Sequence, residues 1–222
     1  MRIARNALTI TAVAVMASFT MSLSAATKTW SGGGDGKNWS DPLNWENSAL
    51  PVTGQGDLVV LSNAGSTPAI SNDLGAISIG KLSVTNGNVA LTGGALTFDG
   101  TQGTVIDANV SLQLSIGNDL VLPISRDISF ELPTTFTLTG DLTSPTLSTS
   151  KMLRFYSRAS GRTAVIDGDA NLPGWDVINV VKANSYVQFN GKLICGNVLS
   201  SVGTIGGDTG DFRLNCTESS FS

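Results

Sequence analysis

From Leu58 to Ile205 the chain repeats one texture: apolar stretches of a few residues, several of them alternating, each closed by Gly, Asn or Asp. Leu96-Thr97-Phe98, Leu112-Gln113-Leu114-Ser115-Ile116, Ile128-Ser129-Phe130-Glu131-Leu132 and Phe136-Thr137-Leu138 carry the alternation. Alternate side chains of a strand point to opposite faces, so such segments bury one face and wet the other. The closures Asn86-Gly87, Asp99-Gly100, Asp167-Gly168 and Asn190-Gly191 supply residues that readily take positive φ. Helical periodicity is hardly visible, and so many short strands imply an all-β fold. Two all-β architectures compete, a sandwich of antiparallel sheets and a solenoid of stacked coils. Aromatic residues are only 6%, which favours the solenoid, with Leu, Ile, Val and Ala expected at its inward positions. Coils of about 20 to 25 residues would fit six or seven times after Val52. Residues 152–162 and 172–176 break the pattern and read as insertions or looped corners.

Composition narrows function more than it names it. The chain has 222 residues, 13 Lys and Arg against 17 Asp and Glu, a formal net charge of -4, and 14% charged residues. Cations scattered singly give no nucleic-acid footprint. Histidine is absent, which excludes Ser-His-Asp and Cys-His nucleophile systems, His-ligated zinc and imidazole switching. Enzymes working through paired carboxylates survive this test.

Residues 1–26 read as a secretory signal: Arg2 and Arg5 precede a mostly apolar run from Ala7 to Leu23, followed by Ser24, Ala25 and Ala26. The expected cut lies between Ala26 and Thr27; a retained membrane anchor is the competing reading. No later stretch has the ~18 apolar residues of a transmembrane helix, so no membrane span is expected after signal removal. No Cys stands at the cut, against a lipoprotein. In an oxidising compartment Cys195 and Cys216 are candidates for one disulfide, a bridge that would contribute about 3 kcal/mol through the unfolded state. The competing reading is two thiols, with Cys195 a small core residue.

Residues 28–52 differ from the rest. Trp30, Trp39 and Trp45, three of four tryptophans, are interleaved with Gly32 to Gly34, Asn38, Asn44 and Pro51. The order Trp30-Ser31-Gly32-Gly33, Trp39-Ser40, Asn44-Trp45, Pro51, Gly56-Asp57 and then a strand resembles the opening of secreted bacterial proteins with autotransporter-associated β-strand repeats. Segments such as Ile79-Gly80-Lys81-Leu82-Ser83-Val84 look like the repeats themselves. The resemblance implies a right-handed parallel β-helix, secreted or on the cell surface of a Gram-negative bacterium, with the tryptophan segment capping its first coil. Large rings suit a cap because an open coil end exposes apolar interior and strand edges; a platform for sugar rings is the alternative. The resemblance ends at the C-terminus, where the expected barrel or sorting helix is replaced by a polar stretch stopping at Ser222, as in a fragment, a truncated product or a released protein. The organisation is thus a signal (1–26), a cap (27–57), coils (58–205) and a polar tail (206–222).

Motifs for chemistry are weak. Gly75 to Lys81 has phosphate-loop spacing, but Leu82 replaces the magnesium-binding hydroxyl and no helix follows. Asp167-Gly168-Asp169-Ala170-Asn171 begins like a calcium loop and then places Leu172 and Ile178 where Gly and Glu are needed. Gly206 to Asp211 misses a calcium-binding glycine repeat at Thr209. Ser78 to Lys81 and Ser148 to Lys151 match Ser-x-x-Lys without its companion motifs. Asn38, Asn109 and Asn215 open glycosylation sequons. Glycoside hydrolysis needs two carboxylates at a set spacing, and Asp107, Asp119, Asp127, Asp141, Asp167 and Asp169 are the candidates, with Arg126, Arg154, Arg158 and Arg162. The stretch from Lys151 to Arg162 is the first place to look for a functional protrusion, with a solvated loop as the simpler reading. The expectation is a non-enzymatic structural or adhesive solenoid without cofactor or metal, partnered by an extracellular glycan or surface protein, and monomeric unless its open C-terminal coil pairs. A carbohydrate-binding or polysaccharide-degrading protein is the alternative.

Overall fold

The computed structural model describes residues 24–62, 69–109, 111–123, 125–145, 149–180, 182–200, 210–215 and 219–221. Strand β1 (Thr27–Trp30) precedes the tryptophan segment, whose only helical turns are the 3-10 turns Pro42–Asn44 and Glu46–Ser48. Triplets of strands follow: β2 (Leu58–Leu61), β3 (Ala69–Asn72) and β4 (Ile77–Ile79), then β5 (Lys81–Val84), β6 (Val89–Gly93) and β7 (Leu96–Phe98). The next are β8 (Thr104–Ala108), β9 (Gln113–Ile116) and β10 (Leu120–Val121), then β11 (Ile128–Glu131), β12 (Thr135–Leu138) and β13 (Leu142–Thr143). The last are β14 (Lys151–Tyr156), β15 (Thr163–Ile166), β16 (Ala170–Val180), β17 (Tyr186–Phe189), β18 (Leu193–Ser200), β19 (Asp211–Leu214) and β20 (Ser219–Phe221).

Among the described residues every strand pair is parallel, and each strand meets its counterpart one coil away: Leu58 faces Lys81, Leu82 faces Ile106, Phe130 faces Phe155. The chain is therefore a β-solenoid of about six turns, with three walls. The first wall runs β1-β2-β5-β8-β11-β14 into the C-terminal half of β16; the second runs β3-β6-β9-β12-β15-β17-β19; the third runs β4-β7-β10-β13 into the N-terminal half of β16. Parallel pairing follows from the winding: chain returning to the same wall after one coil must run in the same direction.

Alternation fills the interior. Val59 and Leu61 of β2 point in while Leu58 and Val60 point out, and β12 repeats this with Phe136 and Leu138. The interior is more aromatic than the composition suggested. Phe130, Phe136, Phe155 and Phe189 are fully buried, and Phe130, Phe155, Phe189 and Phe212 form a chain of ring contacts at 5.4 to 6.0 Å along successive coils.

Of the two expected irregularities, the first is part strand and part loop, and the second is a corner, as expected. Residues 151–156 pair in register with β16, and 153–156 also with β11, leaving 157–162 as the loop. Residues 172–176 lie within β16, which turns a corner so that one strand serves two walls; the turn falls at Pro173-Gly174, where Gly174 has φ 80. The polar tail also joins the coils. β19 pairs with β17 and β20 with β18, since a ladder needs backbone groups rather than apolar side chains, and Phe212 stacks on Phe189. Coils likewise begin at β1, before residue 58.

Candidate functional site

Two regions gather polar chemistry, the tryptophan segment and the outer surface of the first wall. In the former, Trp45 stands edge-on to both Trp30 (5.1 Å) and Trp39 (5.5 Å), and all three are buried. Trp45 Nε1 donates to the Trp39 carbonyl at 2.8 Å, whereas the buried Trp39 Nε1 has no partner. The segment lies along strand edges: Trp39 N donates to Ser71 O and Ser71 N to Lys37 O on β3, Gly54 N donates to Ser78 O on β4, and Trp30 bridges to Trp45. No tryptophan face is open to a sugar ring.

A polar knot fixes this segment. Buried Asn44 accepts from the amides of Gly34 and Gly36 and donates to Asp35 and to the Asn38 carbonyl. Asp35 accepts from the amides of Lys37 and Asn38 and from Asn38 Nδ2. The Asn38 amide, then the Lys37 amide and the Asn44 side chain, hold the Asp35 carboxyl well below the usual range. For Asp73 burial works upward, but the Ser40 hydroxyl and amide outweigh it and the carboxyl is lowered. Both carboxylates are occupied by N–H and O–H donors, the wrong surroundings for a cation.

On the outer first wall Lys81 pairs with Asp107 at 2.8 Å between β5 and β8, and Arg154 with Asp127 at 3.3 Å and Arg158 with Glu131 at 2.8 Å lie side by side between the coils of β11 and β14. Asp107 and Glu131 are register neighbours, followed by Tyr156, which is 37% exposed. Within the expected set the structure joins Asp127 to Arg154, and it brings in Lys81 on Asp107 and Glu131 on Arg158, which sequence reasoning missed. Their partners lie one coil away in sequence, so no local motif could have shown them.

The other candidates lie at coil corners or apart. Asp119 accepts from the Asp141 amide, Asp141 from the Asp169 amide and Asp169 from the Lys192 amide, each at 2.9 Å. Asp167 accepts from Asn190 Nδ2. Beside this ladder a Cβ on Gly168 would meet the Gly140 carbonyl at 2.2 Å, so the close stacking of these corners requires glycine. Arg126 donates to the Thr101 carbonyl and Arg162 to Thr134 Oγ1.

Of the sequence motifs, the phosphate-loop-like stretch contains β4, with Ile77 and Ile79 inside the core. The calcium-loop-like stretch has Asp167 and Asp169 in the corner bonds just described. No group of three or more metal-binding side chains occurs among the described residues. Cys195 is buried, which together with the nearby Asp176 charge pushes its thiol up to about 11; Cys216 lies outside the described residues, as does the signal stretch 1–23. Ala26 and Thr27 are described, with Thr27 opening β1. No helix among the described residues is long and apolar enough to cross a membrane.

Fold and surface together define the class, a parallel β-solenoid whose first end is lined by tryptophans. Comparison with known proteins adds no relative: no family model, no curated protein and no solved structure matches the chain.

Proposed function

We propose that the chain is an exported, non-enzymatic structural or adhesive β-solenoid that acts at the cell surface or outside the cell, as the resemblance to autotransporter-associated repeat proteins implies. The observation that carries this reading is how its carboxylates are used. Asp107, Asp127, Glu131, Asp119, Asp141, Asp167 and Asp169 each bond a group from a neighbouring coil. They act as rivets between coils, and catalysis would require at least one pair to be released for a substrate.

The second reading, a polysaccharide-binding or polysaccharide-degrading protein, draws on one feature: the neighbouring carboxylates of Asp107 and Glu131 with the exposed ring of Tyr156 beside them. A reducing-sugar release assay across plant, fungal and bacterial polysaccharides, run beside a glycan array, separates the two. The scaffold reading expects no sugar release. Release that is abolished in both Asp107→Asn and Glu131→Gln would overturn it.

A further inference from the structure

Asp57 is completely buried, and burying a carboxylate is costly unless charge or hydrogen bonds compensate. Its compensation is incomplete as the chain stands. Oδ1 accepts the Ala26 amide at 3.0 Å and Oδ2 the Val52 amide at 2.9 Å. Among the described residues its ion pair is with Lys28, whose Nζ stands 3.9 Å from Oδ2, beyond hydrogen-bond length. The donor at Ala26 lies at the boundary between export signal and first strand, where a single hydrolysis converts an amide into an ammonium group.

We infer that export processing cuts before Ala26, and that the α-ammonium group so formed is the ion-pair partner of Asp57, locking the start of the solenoid. Hydrolysis of the Ala25–Ala26 peptide bond by a peptidase consumes one water and leaves a carboxylate on Ala25 and an ammonium on Ala26. The nitrogen that already points at Asp57 then carries a full charge, and the hydrogen bond becomes charge-assisted.

Strand geometry selects Ala26 over its neighbour. In an extended chain the N–H and C=O of one residue face one side and those of the next residue face the other. Ala26 presents both groups toward β2, its N–H to Asp57 and its C=O to the Leu58 amide at 2.9 Å. Thr27 therefore faces its amide away from Asp57. A cut after Ala26 would satisfy the small-residue pattern with Ser24 and Ala26, but it would remove both bonds and aim the new charge at the opposite edge. A cut before Ala26 keeps both and puts Ala25 next to the cleaved bond.

This inference rests on the export reading, and the test separates their failures. The full chain is expressed in a Gram-negative host, and the N-terminus of the exported product is read by mass spectrometry. Ala26 as first residue is expected. Thr27 as first residue overturns this inference alone, and an uncut chain overturns export as well. Thermal unfolding then compares the chain beginning at Ala26 with the same chain Nα-acetylated and with one retaining Ser24 and Ala25. The free amine should raise Tm by about 5 °C, and Asp57→Asn should erase that difference. Equal Tm values for the free and acetylated chains would overturn the ion pair; because acetylation leaves Asp57 in place, this comparison holds even if Asp57→Asn does not fold.

Discussion

The two ends of the solenoid solve the same problem with different materials. At the first end, residues 30–57 lie along the edges of β1, β3 and β4, with three buried indoles and a fully buried Asn44. At the other end, β19 has one half-buried residue, Phe212, between exposed neighbours, and Leu214 is 42% exposed. Stacked coils gain stability from nearest neighbours, so a coil with a neighbour on one side only depends on whatever covers its other side. The first end has a dedicated segment for this, whereas the described residues of the last coil hold on through backbone pairing, the Phe212 ring, the Asn179 side chain on the Asp211 carbonyl and Arg213 over the Tyr186 ring, with no buried indole.

That contrast predicts a steep asymmetry. Trp39→Ala should cost about 3 to 5 kcal/mol, the loss expected when a buried indole leaves a cavity, measured by urea unfolding at equilibrium. A loss under about 1 kcal/mol would mean that the rings are an appendage and the first coil stands without them. Asn44→Ala comes next, at about 2 to 3 kcal/mol, because it strips the amides of Gly34 and Gly36 of their acceptor in a partly buried loop. If Trp39→Ala is severe and Asn44→Ala neutral, burial alone seals the end and the polar knot is incidental. Phe212→Ala, at the other end, should cost only about 1 kcal/mol, the value of one stacked aromatic contact with partial burial. A cost equal to that of Trp39→Ala would erase the distinction between the ends.

The walls of the fold were legible because alternation such as Ile128-Ser129-Phe130-Glu131 is a local signal. The tryptophan segment was legible as something apart, since indoles crowded among Gly and Asn fit no strand. What stayed hidden depends on partners about one coil away. Residues 152–162 looked like an insertion or looped corner; in the structure their first part is strand, with Arg154 pointing out toward Asp127 and Leu153 and Phe155 filling the core. Asp57 stood only as half of the Gly56-Asp57 pair before the first strand, and nothing in the sequence marked its full burial or its amide donors from Ala26 and Val52. Asp211 to Leu214 looked like a tail because strand formation there comes from the neighbouring edge of β17 and not from its own side chains.

The smallest expected effect is also the most local. Asp35 and Asp73 both have carboxyls held below their ordinary value of 3.8. A carboxyl lowered by folding contributes stability that is present above its unfolded value and is lost as pH falls through the folded one. From pH 8 to 5 neither group should alter stability, and below about pH 4 the tryptophan segment should loosen first. Amide hydrogen exchange reads this residue by residue: the amides of Lys37, Asn38 and Ser40, which donate to these carboxylates, should lose protection relative to their own intrinsic rates as pH drops from 4 toward 2. The amides joining β15 to β17 carry no such link and should keep theirs. In Asp35→Asn the acid sensitivity of Lys37 and Asn38 should shrink while that of Ser40, held by Asp73, persists. Uniform loss of protection along the whole solenoid would instead mean that acid acts on the coil-to-coil carboxylates, and that the first end has no separate stability of its own.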